Sequence, residues 1–201
     1  MRAIGTPGAV LAFAALLGAC DDATGPDRNE VGTVRFTYAG ARSGTFEAVG
    51  RFPAATVRGS ATGTWAAAVR LRAGLVPEDG PHAVLAATQR RADARADVFS
   101  VLFVPLEVRT VSCGEDEVAL CPLFTQLRFG VPPLVGDAEA EFVVVSGTLR
   151  VTGASESRVR GTFEMVLRQT GSGAALLVSD GSFDVPVVEA RFGMGDRVPG
   201  R

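Results

Sequence analysis

Lysine is absent from this 201-residue sequence. All 20 basic residues are arginine, set against 22 acidic residues, for a formal charge of −2. A balance so close to neutral argues against a dedicated nucleic-acid binder, which would carry a basic stripe. Histidine occurs once, so His-rich metal sites are excluded and any catalytic triad would have to use His82. One Trp and one Tyr leave few polar-tipped rings for stacking on sugars, although Phe occurs 12 times. No Gly-x-Ser-x-Gly nucleophile turn and no spaced D-x-D-x-D-G calcium loop occurs. No apolar run after the N-terminus reaches 18 residues, so no later transmembrane helix is expected. The apolar fraction of 47% is enough for a core and rules out wholesale disorder. The length suits one domain or two small ones.

The first 20 residues read as an address. Arg2 supplies a short positive region, and Ala9 to Leu17 form a nine-residue apolar run. That run suits a signal peptide and is too short to span a bilayer. Leu17-Gly18-Ala19-Cys20 follows, then the polar switch Asp21-Asp22. An aliphatic residue, two small residues and a Cys resemble the bacterial lipobox. Small residues let the chain lie extended in a peptidase groove, and Cys20 supplies the thiol for diacylglycerol. Residues 1–19 are then expected to be a cleaved lipoprotein signal peptide. Two or three acyl chains on Cys20 would give stable anchoring, where one would be marginal. Residues 20–30 read as a flexible tether. About ten residues reach roughly 17–19 Å as a coil. The expected location is the bacterial cell envelope, lipid-anchored on its periplasmic or cell-surface side, with inner versus outer membrane left open.

Cys113 and Cys121 remain once Cys20 is set aside. An even pair in an exported protein reads as a disulfide. Redox motifs use closer spacing, and no His or third Cys is free to complete a zinc site. Closing this nine-residue ring would contribute roughly 2.6 kcal/mol on the loop-entropy account.

From Val31 the hydrophobic period becomes two. Val34, Phe36 and Tyr38 alternate with polar residues, as do Phe46, Ala48 and Gly50. Trp65, Ala67, Val69 and Leu71 form another such face, and Phe163, Met165 and Leu167 a fourth. Such alternation marks antiparallel strands with one buried face. Turn signals at 39–40, 77–81, 153–157, 171–173 and 180–181 separate the strands. An all-β domain over residues 31–192 is expected, a single antiparallel β-sandwich or partly closed β-barrel, followed by a disordered tail at 193–201. The Ala- and Arg-rich stretch 83–97 admits a helix. The favoured reading is a hairpin with strands near 83–89 and 97–104.

An echo runs through the chain: Gly44-Thr45-Phe46-Glu47, Gly63-Thr64-Trp65, Gly147-Thr148-Leu149-Arg150, Gly161-Thr162-Phe163-Glu164 and Gly181-Ser182-Phe183-Asp184. Its spacing is too irregular for a solenoid. Strand entry is the physical reading, with the large residue anchoring the core. No Gly-rich loop leads into a convincing helix, so no phosphate cradle is expected.

The segments 146–152, 160–164 and 178–186 together resemble a group of bacterial lipoproteins of uncharacterised function, with a G-T-F strand and a final G-x-F-x-V strand. The specific likeness covers roughly 40 residues. It implies a lipoprotein address and an all-β fold, and it supplies no activity or catalytic residue.

Candidate chemistry is thin. Glu139 and Glu141 lie two apart and would share a strand face, with Asp137 behind them; paired carboxylates can serve glycoside hydrolysis. Glu115-Asp116-Glu117 is a tight acidic cluster whose bland reading is a solvated loop. His82 follows Pro81 beside a turn, with no evident nucleophile. Arg70, Arg72, Arg150, Arg158 and Arg160 would form a cationic strip if their strands were neighbours; the favoured reading is arginine coding bias with cross-strand Arg–Glu pairs. No cofactor and no metal is expected. The expected function is a membrane-anchored envelope lipoprotein acting as a non-catalytic binding or structural module. Its partners would be the membrane through the N-terminal lipid and an envelope protein, glycan or small ligand. The alternative is an envelope hydrolase using carboxylates such as Glu139 and Glu141.

Overall fold

A computed structural model describes residues 31–53, 63–71, 81–114, 123–133 and 136–189. The signal peptide, the tether, the tail and the Glu115–Glu117 cluster therefore lie outside the described residues, as do Cys20 and Cys121. The described chain is all-β. Ten strands run β1 (Val31–Gly40), β2 (Gly44–Arg51), β3 (Trp65–Arg70), β4 (His82–Arg90), β5 (Ala96–Pro105), β6 (Thr110–Cys113), β7 (Thr125–Val131), β8 (Ala140–Ala154), β9 (Arg158–Gln169) and β10 (Ala175–Glu189).

All ten belong to one sheet. Pairing follows a closed circuit, β10–β3–β4–β5–β7–β8–β9 and back to β10. The sheet is ring-like without being a regular barrel. Two long strands explain the irregularity. β10 pairs with β9 along one edge, and along the other it carries β1 and then β3. β8 pairs with β9 on one edge and with β7 and then β6 on the other. Only the β10–β3 contact, of three residue pairs, is parallel. The β1–β2 hairpin hangs from β10 outside the circuit.

The stretch 83–97 is a hairpin. β4 and β5 pair from His82↔Pro105 to Arg90↔Ala96, and Arg91 N–H donates to the Arg95 carbonyl at 2.8 Å to close the turn. Helix propensity loses because Ala83, Leu85 and Ala87 bury one face while Val84, Ala86 and Thr88 bury the other. A strand buried on both faces needs small or β-branched residues, and an alanine run supplies them.

Phenyl rings fill the ring's interior. Phe36 stacks on Phe46 at 4.7 Å and meets Phe99 at 4.9 Å; Phe99 stacks on Phe163 at 5.2 Å. Four strands thus meet at one hub, where burying each Phe contributes roughly 1.5–3 kcal/mol. One sequence expectation needs correcting. The Trp65, Ala67 and Val69 face does not join this core. Ala66 and Ala68 do, while Trp65 and Ala67 form a second cluster with Phe52, Ala86 and Val188.

The Gly echo also has a different meaning. Gly44 opens β2, as strand entry requires. Gly147, Gly161 and Gly181 instead lie well inside β8, β9 and β10. In the β9–β10 register Gly161 faces Phe183 and Gly181 faces Phe163, with Thr162 opposite Ser182 between them. Each glycine makes room for the ring across from it. A Cβ on Gly161 would lie 2.6 Å from Phe183 Cζ, and one on Gly181 would lie 2.5 Å from Phe163 Cδ2.

Candidate functional site

Two places carry most of the chemistry. The first is at the turn end of the sheet, where the β1–β2 loop, the β4–β5 turn, the end of β7 and the entry to β8 converge. Glu139 lies at its centre. Its carboxylate accepts from Arg91 Nη1 at 3.0 Å and from Arg95 Nη1 at 3.3 Å, and Arg42 Nη1 stands 3.8 Å away. Asp97 accepts from the Gly130 N–H at 2.9 Å and lies 3.8 Å from Arg91. Asp93 accepts from the Arg95 N–H at 3.1 Å. Gly130 holds φ at 62°, and a Cβ there would sit 2.4 Å from Glu139 Cδ. The glycine is therefore what admits the carboxylate. Arg42 also covers the Phe129 ring at 5.1 Å, and Phe129 packs on Tyr38 at 5.2 Å.

Three guanidinium groups and three carboxylates balance here, so the cluster is a clasp between loops. Burial pushes the Asp97 carboxyl above its ordinary value, opposed by the Gly130 hydrogen bond and Arg91. Burial likewise raises the Tyr38 phenol. The hydrogen bond to Glu139 raises Arg91 further.

Glu141 is held apart from Glu139 by different partners. It accepts from Gln126 Nε2 at 2.7 Å, and Arg128 Nε lies 3.7 Å away. That Arg128 Nε is buried without a hydrogen bond. Asp137 is exposed. His82 is buried at the start of β4, edge-on to Phe103 at 6.4 Å. Among the described residues, no group of three or more His, Cys, Asp or Glu could hold a metal ion. Cys113 ends β6; Cys121, its expected partner, lies outside the described residues.

The four described arginines of the expected strip do not line up as one. Arg158 is neutralised by Asp184, and Arg70 donates to the Glu156 carbonyl. Arg150 and Arg160 do lie on neighbouring strands. Arg72 is outside the described residues.

The second place is the outer face of β8, β9 and β10. An open trough of about 510 Å³ is lined by Thr148, Arg150, Thr162, Glu164, Asp180 and Ser182, over Phe163 and Gly181. Register explains the lining. Thr148 faces Glu164, Arg150 faces Thr162, and Thr162 faces Ser182. On the same face Arg35 pairs with Glu47 at 2.8 Å, whereas Arg160 and Arg168 of β9 have no ion pair among the described residues. Arg150 and Glu164 have no ion-pair or hydrogen-bonding side chain partner among the described residues. A β-bulge at 178–181 with Asp180 at φ 53° shapes one wall. Thr37 Oγ1 reaches Asp180 Oδ2 at 3.3 Å and Ser179 Oγ at 2.9 Å.

The sequence reading named Glu139 and Arg150 but not the residues that surround them. The clasp as a unit has no sequence signal, because its members come from three connections far apart in the chain. The trough had one: its three hydroxyls are the second positions of three Gly echoes. Comparison of the chain with family models, with curated proteins and with solved structures finds no match in any of the three.

Proposed function

We propose that this chain is a lipid-anchored envelope lipoprotein whose β-domain is a non-catalytic binding module. One observation supports the binding half: Arg150 and Glu164, with no ion-pair or hydrogen-bonding side-chain partner among the described residues, both line an open trough. Glu139, by contrast, has its carboxylate oxygens engaged by Arg91 and Arg95, with Arg42 3.8 Å away, and so belongs to the clasp. Glu141 is tied to Gln126 and Arg128. The lipobox at Leu17–Cys20 supports the anchor, and the even pair Cys113 and Cys121 supports a disulfide and an oxidising compartment.

Intact mass of the membrane-extracted protein, with and without reductant and alkylation, tests the address. A mass of residues 20–201 plus acyl chains, with two thiols alkylated only after reduction, is expected. An unlipidated chain or two free thiols would overturn it. The non-catalytic half fails if the purified protein hydrolyses an envelope glycoside and loses that activity in Glu139→Gln or Glu141→Gln.

A further inference from the structure

We infer that the trough on β8–β10 binds a neutral saccharide chain. The inference rests on the binding-module reading and names its ligand class. The floor is a lattice of side chains from three adjacent strands. Strands lie about 4.8 Å apart and same-face residues about 6.7 Å apart, so polar tips recur at both spacings. Thr148, Thr162 and Ser182 each donate and accept. Arg150 only donates; Glu164 and Asp180, when ionised, only accept. A sugar diol needs both a donor and an acceptor within a few ångström, and this lattice offers them side by side.

Charge decides the class. An anionic ligand entering toward Arg150 meets the carboxylates of Glu164 and Asp180. A cation drawn to those carboxylates meets the guanidinium. A neutral ligand rich in hydroxyls satisfies both without opposing either. Thr methyls supply the small apolar area that sugar C–H faces cover. The volume of about 510 Å³ falls in the range of small-ligand sites, and the open form lets a chain continue beyond the trough at either end.

The test is saturation-transfer NMR on the full detergent-solubilised lipoprotein. The probes are maltotriose, cellotriose and chitotriose, with trigalacturonate as an anionic and the chitosan trimer as a cationic comparison. At least one neutral trisaccharide is expected to receive saturation at millimolar concentration. Arg150→Ala and Glu164→Ala should each weaken it about fivefold or more, as loss of a charged hydrogen bond implies. Both side chains are exposed, so thermal midpoints should move by less than about 2 °C. Arg35→Ala, on the same face outside the trough, should leave binding unchanged. Binding insensitive to both trough substitutions overturns the site. Binding of trigalacturonate alone, lost in Arg150→Ala and strengthened in Glu164→Ala, overturns the neutral class and leaves the binding-module reading standing. Silence from all five probes overturns the saccharide assignment. Turnover of a probe, lost in Glu139→Gln, instead defeats the binding-module reading itself.

Discussion

Replacing Gly161 by alanine sets two physical effects against each other. Its φ lies outside the left-handed region, so on backbone grounds alanine would stabilise the fold by about 0.4–1 kcal/mol through the unfolded chain. The surroundings oppose this. The new Cβ would sit 2.2 Å from the Arg150 carbonyl oxygen and 2.6 and 2.8 Å from the Phe183 ring. Carbon rarely comes closer than 3.0 Å, so β8 and β9 must separate by close to 1 Å or the ring must leave its place. Overpacking of this kind costs about 1–3 kcal/mol, and moving backbone belongs at the upper end. The net expectation is a loss of about 2 kcal/mol. With a urea slope near 2 kcal/mol/M, the midpoint should fall by about 1 M. Trp65, the single tryptophan and buried at 7% exposure, reports the transition by fluorescence. Gly114→Ala is the control, since nothing lies within 4 Å of its Cβ position. Phe183→Ala alone should cost about 3–5 kcal/mol, but in that background Gly161→Ala should cost less than in the wild type, because the ring is gone and the carbonyl remains. A Gly161→Ala midpoint equal to or above wild type would refute the argument for the paired Gly and Phe positions.

Phe99→Ala removes the ring that joins Phe36 to Phe163 and should cost about 3–5 kcal/mol, read as a lower urea midpoint. Glu139→Ala opens the clasp; its partners are partly exposed, so the loss should be only about 1 kcal/mol, and should shrink when the thermal midpoint is measured at high salt. The Asp97 carboxyl is raised in the folded state, so the folded chain holds its proton more tightly than the unfolded one. Its ionisation therefore costs stability above the raised value, and that cost disappears as pH falls through it toward 3.8. The stability of Asp97→Asn relative to wild type should accordingly decline as pH is lowered from 7 to 3.5; a difference constant with pH would contradict the burial argument.

Much of the fold was legible because half-buried strands announce themselves. β9 reads Arg-Val-Arg-Gly-Thr-Phe-Glu-Met-Val-Leu, and its buried positions alternate as the pattern demands. The hairpin at 82–105 was harder, since alanine favours helix locally and only burial on both faces overrides it. The Trp65 face misled for a related reason. A strand buried on both sides gives no sign of which side holds the main core, and its largest residue went to the smaller cluster. The candidate site was legible only in fragments. Alternation placed Thr162 and Glu164 on one face, but which strands stand beside β9 depends on pairings between distant segments. The clasp was illegible for the same reason: Arg42 and Glu139 are joined by the way the ring closes, not by any spacing along the chain.

That closure has a consequence for how the chain can be made. β10 is the last strand, and it alone supplies an edge to β1, to β3 and to one side of β9. Thr37 waits for a partner 142 residues later, at Ser179. A nascent chain that ends before Ala175 therefore holds three strands with open edges and no means of joining them. Such pairing folds slowly and leaves strands open to wrong partners meanwhile. The ring is a lock whose bolt arrives last. Trimming a few residues from the end of β10 should harm the protein more than trimming the same number from β6, which has a single neighbour.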